Sequence, residues 1–154
     1  MNQGTSANIK GQKLEDEIEN ILSSRGAKTM KYNLYSGKEK NVLLLDAPYA
    51  KPINKKGVGK TEFVYVNNNG KHIRIECKRQ NGPGTTIDKF DCVFKHALRD
   101  MPEHVILIIV DGATFDERVM RVLREDLNEQ RELRNSSKDV RVMHVEEFVQ
   151  WLDE

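Results

Sequence analysis

The chain has 154 residues, with 38% hydrophobic and 32% charged content and a formal net charge of +1. This is the mix of a globular domain large enough to bury a core. No apolar run approaches the ~20 residues that span a bilayer, and residues 1–7 lack the basic-then-apolar layout of a secretory signal. A membrane-spanning helix is therefore excluded, and a cytoplasmic location is expected. The two cysteines, Cys77 and Cys92, lie in no CxxC or Cys/His ligand pattern, which sets aside a structural zinc site. Both read as small buried hydrophobes of a reducing compartment.

The charge is unevenly distributed. Residues 1–99 carry 18 Lys/Arg against 10 Asp/Glu, a net of +8, and residues 100–154 carry 7 against 14, a net of −7. An acidic partner would meet the first two-thirds of the chain, and a phosphate backbone fits that description. A solvated basic face gives the same count.

In chain order, residues 1–9 read as a flexible tail and 10–154 as one domain. Residues 10–25 read as a helix, because Leu14, Ile18, Ile21 and Leu22 form one apolar stripe, with Gly26 as C-cap. Strands are expected at 28–34 and 42–45. Residues 46–60 read as a long loop holding Pro48, Pro52, Gly57 and Gly59 with Lys51, Lys55, Lys56 and Lys60. A hairpin follows: strands 61–66 and 72–78 around Asn67, Asn68, Asn69 and Gly70, residues that tolerate the positive φ of a tight turn. A Gly-rich segment, 81–85, leads to a helix at 86–100. The continuous apolar run 105–110 reads as a buried central strand. A helix is expected at 114–134, with Thr114 and Glu117 as a capping box, then a strand at 140–145 and a helix at 146–152. This order predicts one α/β domain with a mixed central sheet flanked by helices.

The second hairpin strand carries the chemistry. Ile73 and Ile75 alternate with Arg74, Glu76 and Lys78, so the last three share a face. In a hairpin closed at Asn68–Asn69, Glu62 pairs near Ile75 or Glu76. Two neighbouring carboxylates repel, and a divalent cation with oxygen ligands relieves them; Mg²⁺ suits one or two carboxylates with retained waters. A lysine beside it orients a water and offsets developing charge. An isolated Glu-x-Lys triplet is common by chance and would otherwise read as a surface cross-strand cluster.

Gly59-Lys60-Thr61-Glu62-Phe63 followed by Ile73-Arg74-Ile75-Glu76-Cys77-Lys78-Arg79-Gln80 resembles the PD-(D/E)xK nuclease superfamily, which includes restriction-endonuclease-like and Holliday junction resolvase-like proteins. Lys10-Gly11-Gln12-Lys13-Leu14-Glu15 resembles the resolvase-type opening helix. Gly82-Pro83-Gly84-Thr85-Thr86-Ile87-Asp88-Lys89-Phe90 resembles the loop and helix after the motif in small phage and restriction-like members. The resemblance covers roughly residues 10–112 and implies a restriction-endonuclease-like αβββαβ core.

The resemblance also implies roles. Glu62 and Glu76 would bind Mg²⁺, with Mn²⁺ as substitute, joined by the Cys77 carbonyl and by Glu15 directly or through water. Lys78 would position or activate water, and Gln80 would contact the scissile phosphate or a water. The first acid here is Glu62 after Thr61, not Asp after Pro, which keeps Asp46 as rival first ligand. DNA is the implied substrate, contacted by Lys51, Lys55, Lys56, Lys60, Arg74 and Arg79. Two-strand cutting needs two sites, which a homodimer would supply. A phage-encoded member would work in the host cytoplasm. The alternative is a nucleic-acid-binding protein that keeps the fold without turnover. His72 reads as surface, His96, His104 and His144 as packing or surface, and Asp111-Gly112 as a turn.

Overall fold

The computed structural model describes residues 3–50, 58–82 and 86–154, with side chains other than those of residues 3–12 and 86–87. The elements run α1 (Gln3–Ser24), β1 (Lys28–Lys31), a 3₁₀ turn (Tyr32–Leu34), β2 (Val42–Ala50), β3 (Val58–Val66), β4 (His72–Arg79), α2 (Thr86–Arg99), β5 (Val105–Asp111), α3 (Glu117–Leu133), β6 (Asp139–His144) and α4 (Val145–Leu152). All six strands join one mixed sheet in sequence order. β1–β2, β4–β5 and β5–β6 are parallel, whereas β2–β3 and β3–β4 are antiparallel. The run α1, β2, β3, β4, α2, β5 is the expected αβββαβ core, extended by β1 on one side and by α3, β6 and α4 on the other.

Period-two patterning divides the sheet into two faces. Leu14, Ile18 and Leu22 of α1 and Phe148 of α4 pack on Leu43, Phe63, Ile73, Ile75 and Leu107. On the opposite face Phe90, Phe94, Leu123 and Leu127 of α2 and α3 pack on Ile106, Ile108, Val140 and Val142. β5 lies between both layers and is buried along Val105–Val110, so it reads apolar at every position rather than alternating.

Several boundaries differ from expectation. α1 opens at Gln3 rather than at residue 10. The first strand stops at Lys31, where the 3₁₀ turn begins. Of the loop expected over 46–60, the described residues 46–50 and 58–60 are strand: Pro48, Tyr49 and Ala50 pair with Lys60, Gly59 and Val58. Pro48 is tolerated because β1 covers β2 only as far as Leu45, so β2 is an edge strand from there on. The Tyr49 ring lies across Gly59, where an added Cβ would fall 2.2 Å from Tyr49 Cζ. The N-cap of α3 is Asp116, which accepts from the Val119 N–H at 2.9 Å; the Thr114–Glu117 capping box does not form, because the Thr114 hydroxyl donates to the Gly82 carbonyl at 2.6 Å.

The outer edge of the sheet is closed by side chains. Arg124 donates to the Val142 carbonyl and Arg131 to the Val140 carbonyl on edge strand β6. Carbonyls engaged this way are withdrawn from pairing with another chain.

Candidate active site

β3 and β4 form a fork. Their ladder runs from Val66↔His72 to Phe63↔Ile75. Beyond it β4 continues with β5 to Arg79↔Asp111, while β3 continues with β2. In the gap the Glu62 carboxylate, not a β3 carbonyl, accepts the Cys77 N–H at 2.9 Å, which answers the rule that a buried backbone donor needs a partner. On β4 the Glu76 carboxylate receives the Lys78 ammonium at 3.1 Å. The expected nearness of Glu62 to Glu76 therefore holds, and each acid has a partner.

Asp46 adopts φ +54°, a left-handed conformation that Asp tolerates better than most residues. Leu45 pairs with Phe63 and Ala47 with Thr61, so Asp46 lies across β2–β3 from Glu62. The side-chain alternation slips at this point. Leu45 packs towards α1, whereas Ala47, two residues on, packs with Leu44 and Val64 on the other face. Glu15 from α1 completes the group: Glu15, Asp46, Lys60 and Glu62 line one cleft of about 390 Å³. The rival first acids, Glu62 and Asp46, are thus neighbours in one cleft.

The electrostatics are those of crowded acids. Burial pushes the Glu62 carboxyl up to about 7, with the charges of Glu76 and Glu15 adding to it and the Cys77 N–H opposing. Glu15 is raised by burial and then by Asp16, Asp46 and Glu19. Burial works against the Lys78 charge, but Glu76 outweighs it and holds the ammonium above its ordinary value. Lys78 is therefore a cationic hydrogen-bond donor at neutral pH rather than a base. The Cys77 thiol is buried and pushed well up, so only its backbone carbonyl is a candidate ligand.

These shifts make a prediction for the metal-free protein. Folded Glu62 holds its proton up to about pH 7, whereas the unfolded carboxyl releases it near 4.5. Its contribution is fully present below pH 4.5 and is lost as pH rises through 7, amounting to at most ~3 kcal/mol. Urea unfolding in EDTA should show wild type losing stability from pH 5 to pH 8 relative to Glu62→Gln. A wild-type-minus-variant difference that is flat or rises over that range would contradict the assignment.

β4 leaves the fork through a clamp. The Gln80 N–H donates to the Asp111 carbonyl at 3.0 Å, and the Gln80 carbonyl accepts from the Thr114 N–H at 3.3 Å. The Asn81 side chain accepts the Ala113 N–H at 3.0 Å. Gly112 has φ +112°, and a Cβ there would lie 2.1 Å from the Gln80 oxygen, so only glycine fits. Sequence reading gave Asp111-Gly112 a turn and missed this role, which only the β4–β5 register discloses.

The other expected site residues divide. Lys60 lines the acidic cleft. The Gln80 amide lies beside the Gly82 carbonyl at 3.5 Å. Arg79 pairs with Asp111 at 3.4 Å. Lys51, Lys55 and Lys56 lie outside the described residues. Arg74 does not serve as a nucleic-acid contact: it is 0% exposed, and its five N–H donors go to Glu103 (twice), the Ala47 and Pro48 carbonyls and the Thr61 hydroxyl. His72 pairs with Tyr35 at the far end of β4.

Among the described residues no three His, Cys, Asp or Glu side chains stand as a ready metal cluster. Glu62 and Glu76 are each turned to an internal partner. The donor set nonetheless suits a hard divalent cation: carboxylate and carbonyl oxygens, with one acid raised by burial and by the neighbouring carboxylates. No helix among the described residues is long and apolar enough to cross a membrane. A family model described as a PD-(D/E)XK nuclease superfamily domain matches residues 6–154. No curated protein and no solved structure matches the chain.

Proposed function

The chain belongs to the PD-(D/E)XK nuclease superfamily, and from that membership we propose that it is a metal-dependent DNA endonuclease acting at the β3–β4 fork. The observation that carries this reading is the meeting of Glu62, Glu76 and Lys78 there, with Glu15 and Asp46 lining the adjoining cleft. Glu62, Glu76 and the Cys77 carbonyl would hold Mg²⁺ or Mn²⁺, with Glu15 or Asp46 reaching it directly or through water. When bound, such an ion supplies an activated water and charge stabilisation at the phosphate.

The protein's own residues do the rest. Lys78, kept cationic by Glu76, donates to the attacked phosphate or its incoming water and offsets the growing negative charge. Glu76 restrains the Lys78 side chain. The Gln80–Asp111 clamp fixes the strand end that carries both. Lys60, at the mouth of the cleft, is placed to meet the phosphate backbone, and Lys51, Lys55 and Lys56 would extend that contact. A cytoplasmic homodimer would supply two sites for two-strand cutting, joined elsewhere than along the closed β6 edge; light scattering tests it.

The enzyme reading is tested with supercoiled, single-stranded and branched DNA. Cleavage is expected with Mg²⁺ or Mn²⁺ and none in EDTA. Salt-dependent binding of the same DNAs with no cleavage under any metal would replace it with the non-catalytic binder.

A further inference from the structure

A second constellation lies on α2, apart from the fork. Cys92 and His96 on α2 and Asp100 in the turn that ends it follow one another at four-residue steps, and the Asp100 N–H continues the helical pattern by donating to the His96 carbonyl at 2.8 Å. His96 Nδ1 lies 2.6 Å from Asp100 Oδ2, and the Asp100 side chain is 4% exposed. Burial works against the Asp100 charge, but hydrogen bonds from Arg99 and His96 outweigh it and hold the carboxyl below its ordinary value. An ionised carboxylate only accepts, so Nδ1 carries a hydrogen, and in the neutral imidazole Nε2 is then the acceptor. That nitrogen faces Cys92 Sγ at 3.8 Å, within reach for a sulfur donor. Cys92 is exposed, contrary to the buried role expected from composition, and Cys77 is buried.

The order is that of a nucleophile, a base and a group that orients the base: an exposed thiol, a half-buried imidazole and a buried acid. The other groups facing it include the Tyr49 ring from β2, 5.8 Å from the His96 ring, Lys138 just before β6, which donates to the Ala97 carbonyl of α2 and interacts with the Asp100 charge, and Arg99 on the Asp100 carboxylate. None displaces Nε2 from the sulfur.

We infer that Cys92 is an activated thiol, with His96 as its base and Asp100 as the orienting acid, and that it forms mixed disulfides with low-mass disulfides. The Cys92 S–H proton passes to His96 Nε2. The thiolate attacks one sulfur of the reagent, the Cys92 S–S bond forms as the reagent's own S–S bond breaks, and the departing thiolate takes the proton from His96. Cys92 is oxidised and half of the reagent is reduced.

The test uses the full chain with oxidised glutathione, following the glutathionyl adduct by intact mass and its rate from pH 5 to 9. The expected result is one adduct, absent from Cys92→Ser. It should form at pH 7 roughly tenfold faster in the native chain than in the chain unfolded by guanidinium, because the unfolded thiol has no imidazole held beside it to take its proton. His96→Gln should remove that advantage. The inference is overturned if the native rate profile equals the unfolded one, if Cys92→Ser still reacts, or if a folded His96→Gln reacts at the wild-type rate. The native-against-unfolded comparison needs no substitution, so it decides even if His96→Gln fails to fold.

Discussion

Lys78→Ala is expected to slow DNA cleavage by about 10²–10³-fold, the usual loss when one preorganised donor to a developing negative charge is removed. Metal affinity should stay near wild type, because the lysine is not a ligand and its loss frees Glu76 from the 3.1 Å contact. The side chain is partly exposed on a strand end fixed by the Gln80–Asp111 and Thr114–Gln80 bonds, so the fold should tolerate alanine. Glu76→Ala should lose both cleavage and metal binding. Single-turnover cleavage at saturating Mg²⁺ separates the two variants. A Lys78→Ala rate within about threefold of wild type would remove Lys78 from its role, since that is far less than a charge-stabilising donor contributes.

Arg74→Leu is expected to destabilise the fold by about 3–5 kcal/mol, the cost of breaking a buried ion pair from one side. The guanidinium joins Glu103, 7% exposed, to the Ala47 and Pro48 carbonyls and the Thr61 hydroxyl. Leucine would leave a buried carboxylate and three polar groups without that donor. Whole domains are stable by only about 5–15 kcal/mol, so the variant should approach unfolding in urea at room temperature. Arg74→Leu combined with Glu103→Leu should recover part of the loss, because no charge is then stranded. A single-variant change below about 1 kcal/mol would mean that the pair is hydrated and not the brace described here. Ala47 adjoins Asp46 and Thr61 adjoins Glu62, so the same guanidinium holds the backbone beside both acids of the cleft.

Much of the architecture was legible because periodicity follows burial. β5 is apolar from Val105 to Val110 because helices cover both of its faces, and β4 alternates because one of its faces carries Arg74, Glu76 and Lys78. The Asn67–Gly70 turn set the hairpin register closely enough to bring Glu62 to Glu76. The strands around Pro48 were not legible: proline and glycine read as loop until it is known that β1 covers β2 only as far as Leu45 and that the Tyr49 ring needs Gly59 beneath it.

The site was legible where parity and local sequence decide, in Glu76 and Lys78. It was obscure where long-range geometry decides. The left-handed turn at Asp46 carries no sequence mark, and it places Asp46 and Glu62 in one cleft instead of leaving them as alternatives. Arg74 shares the right face, yet it is covered by Tyr49 and Glu103, residues far away in sequence, and becomes a brace rather than a phosphate contact. The Cys92–His96–Asp100 spacing was present in the sequence, and the signal that could have found it was the repeated step of four along a helix.

The central claim is that the fork is a metal site. Isothermal calorimetry of Mn²⁺ into wild type and Glu76→Ala tests it most directly. The expected result is saturable uptake by wild type with proton release near pH 7, as the raised Glu62 carboxyl gives up its proton to the incoming ion, and loss of that uptake in the variant. Absence of uptake by wild type, or equal uptake by Glu76→Ala, would contradict it.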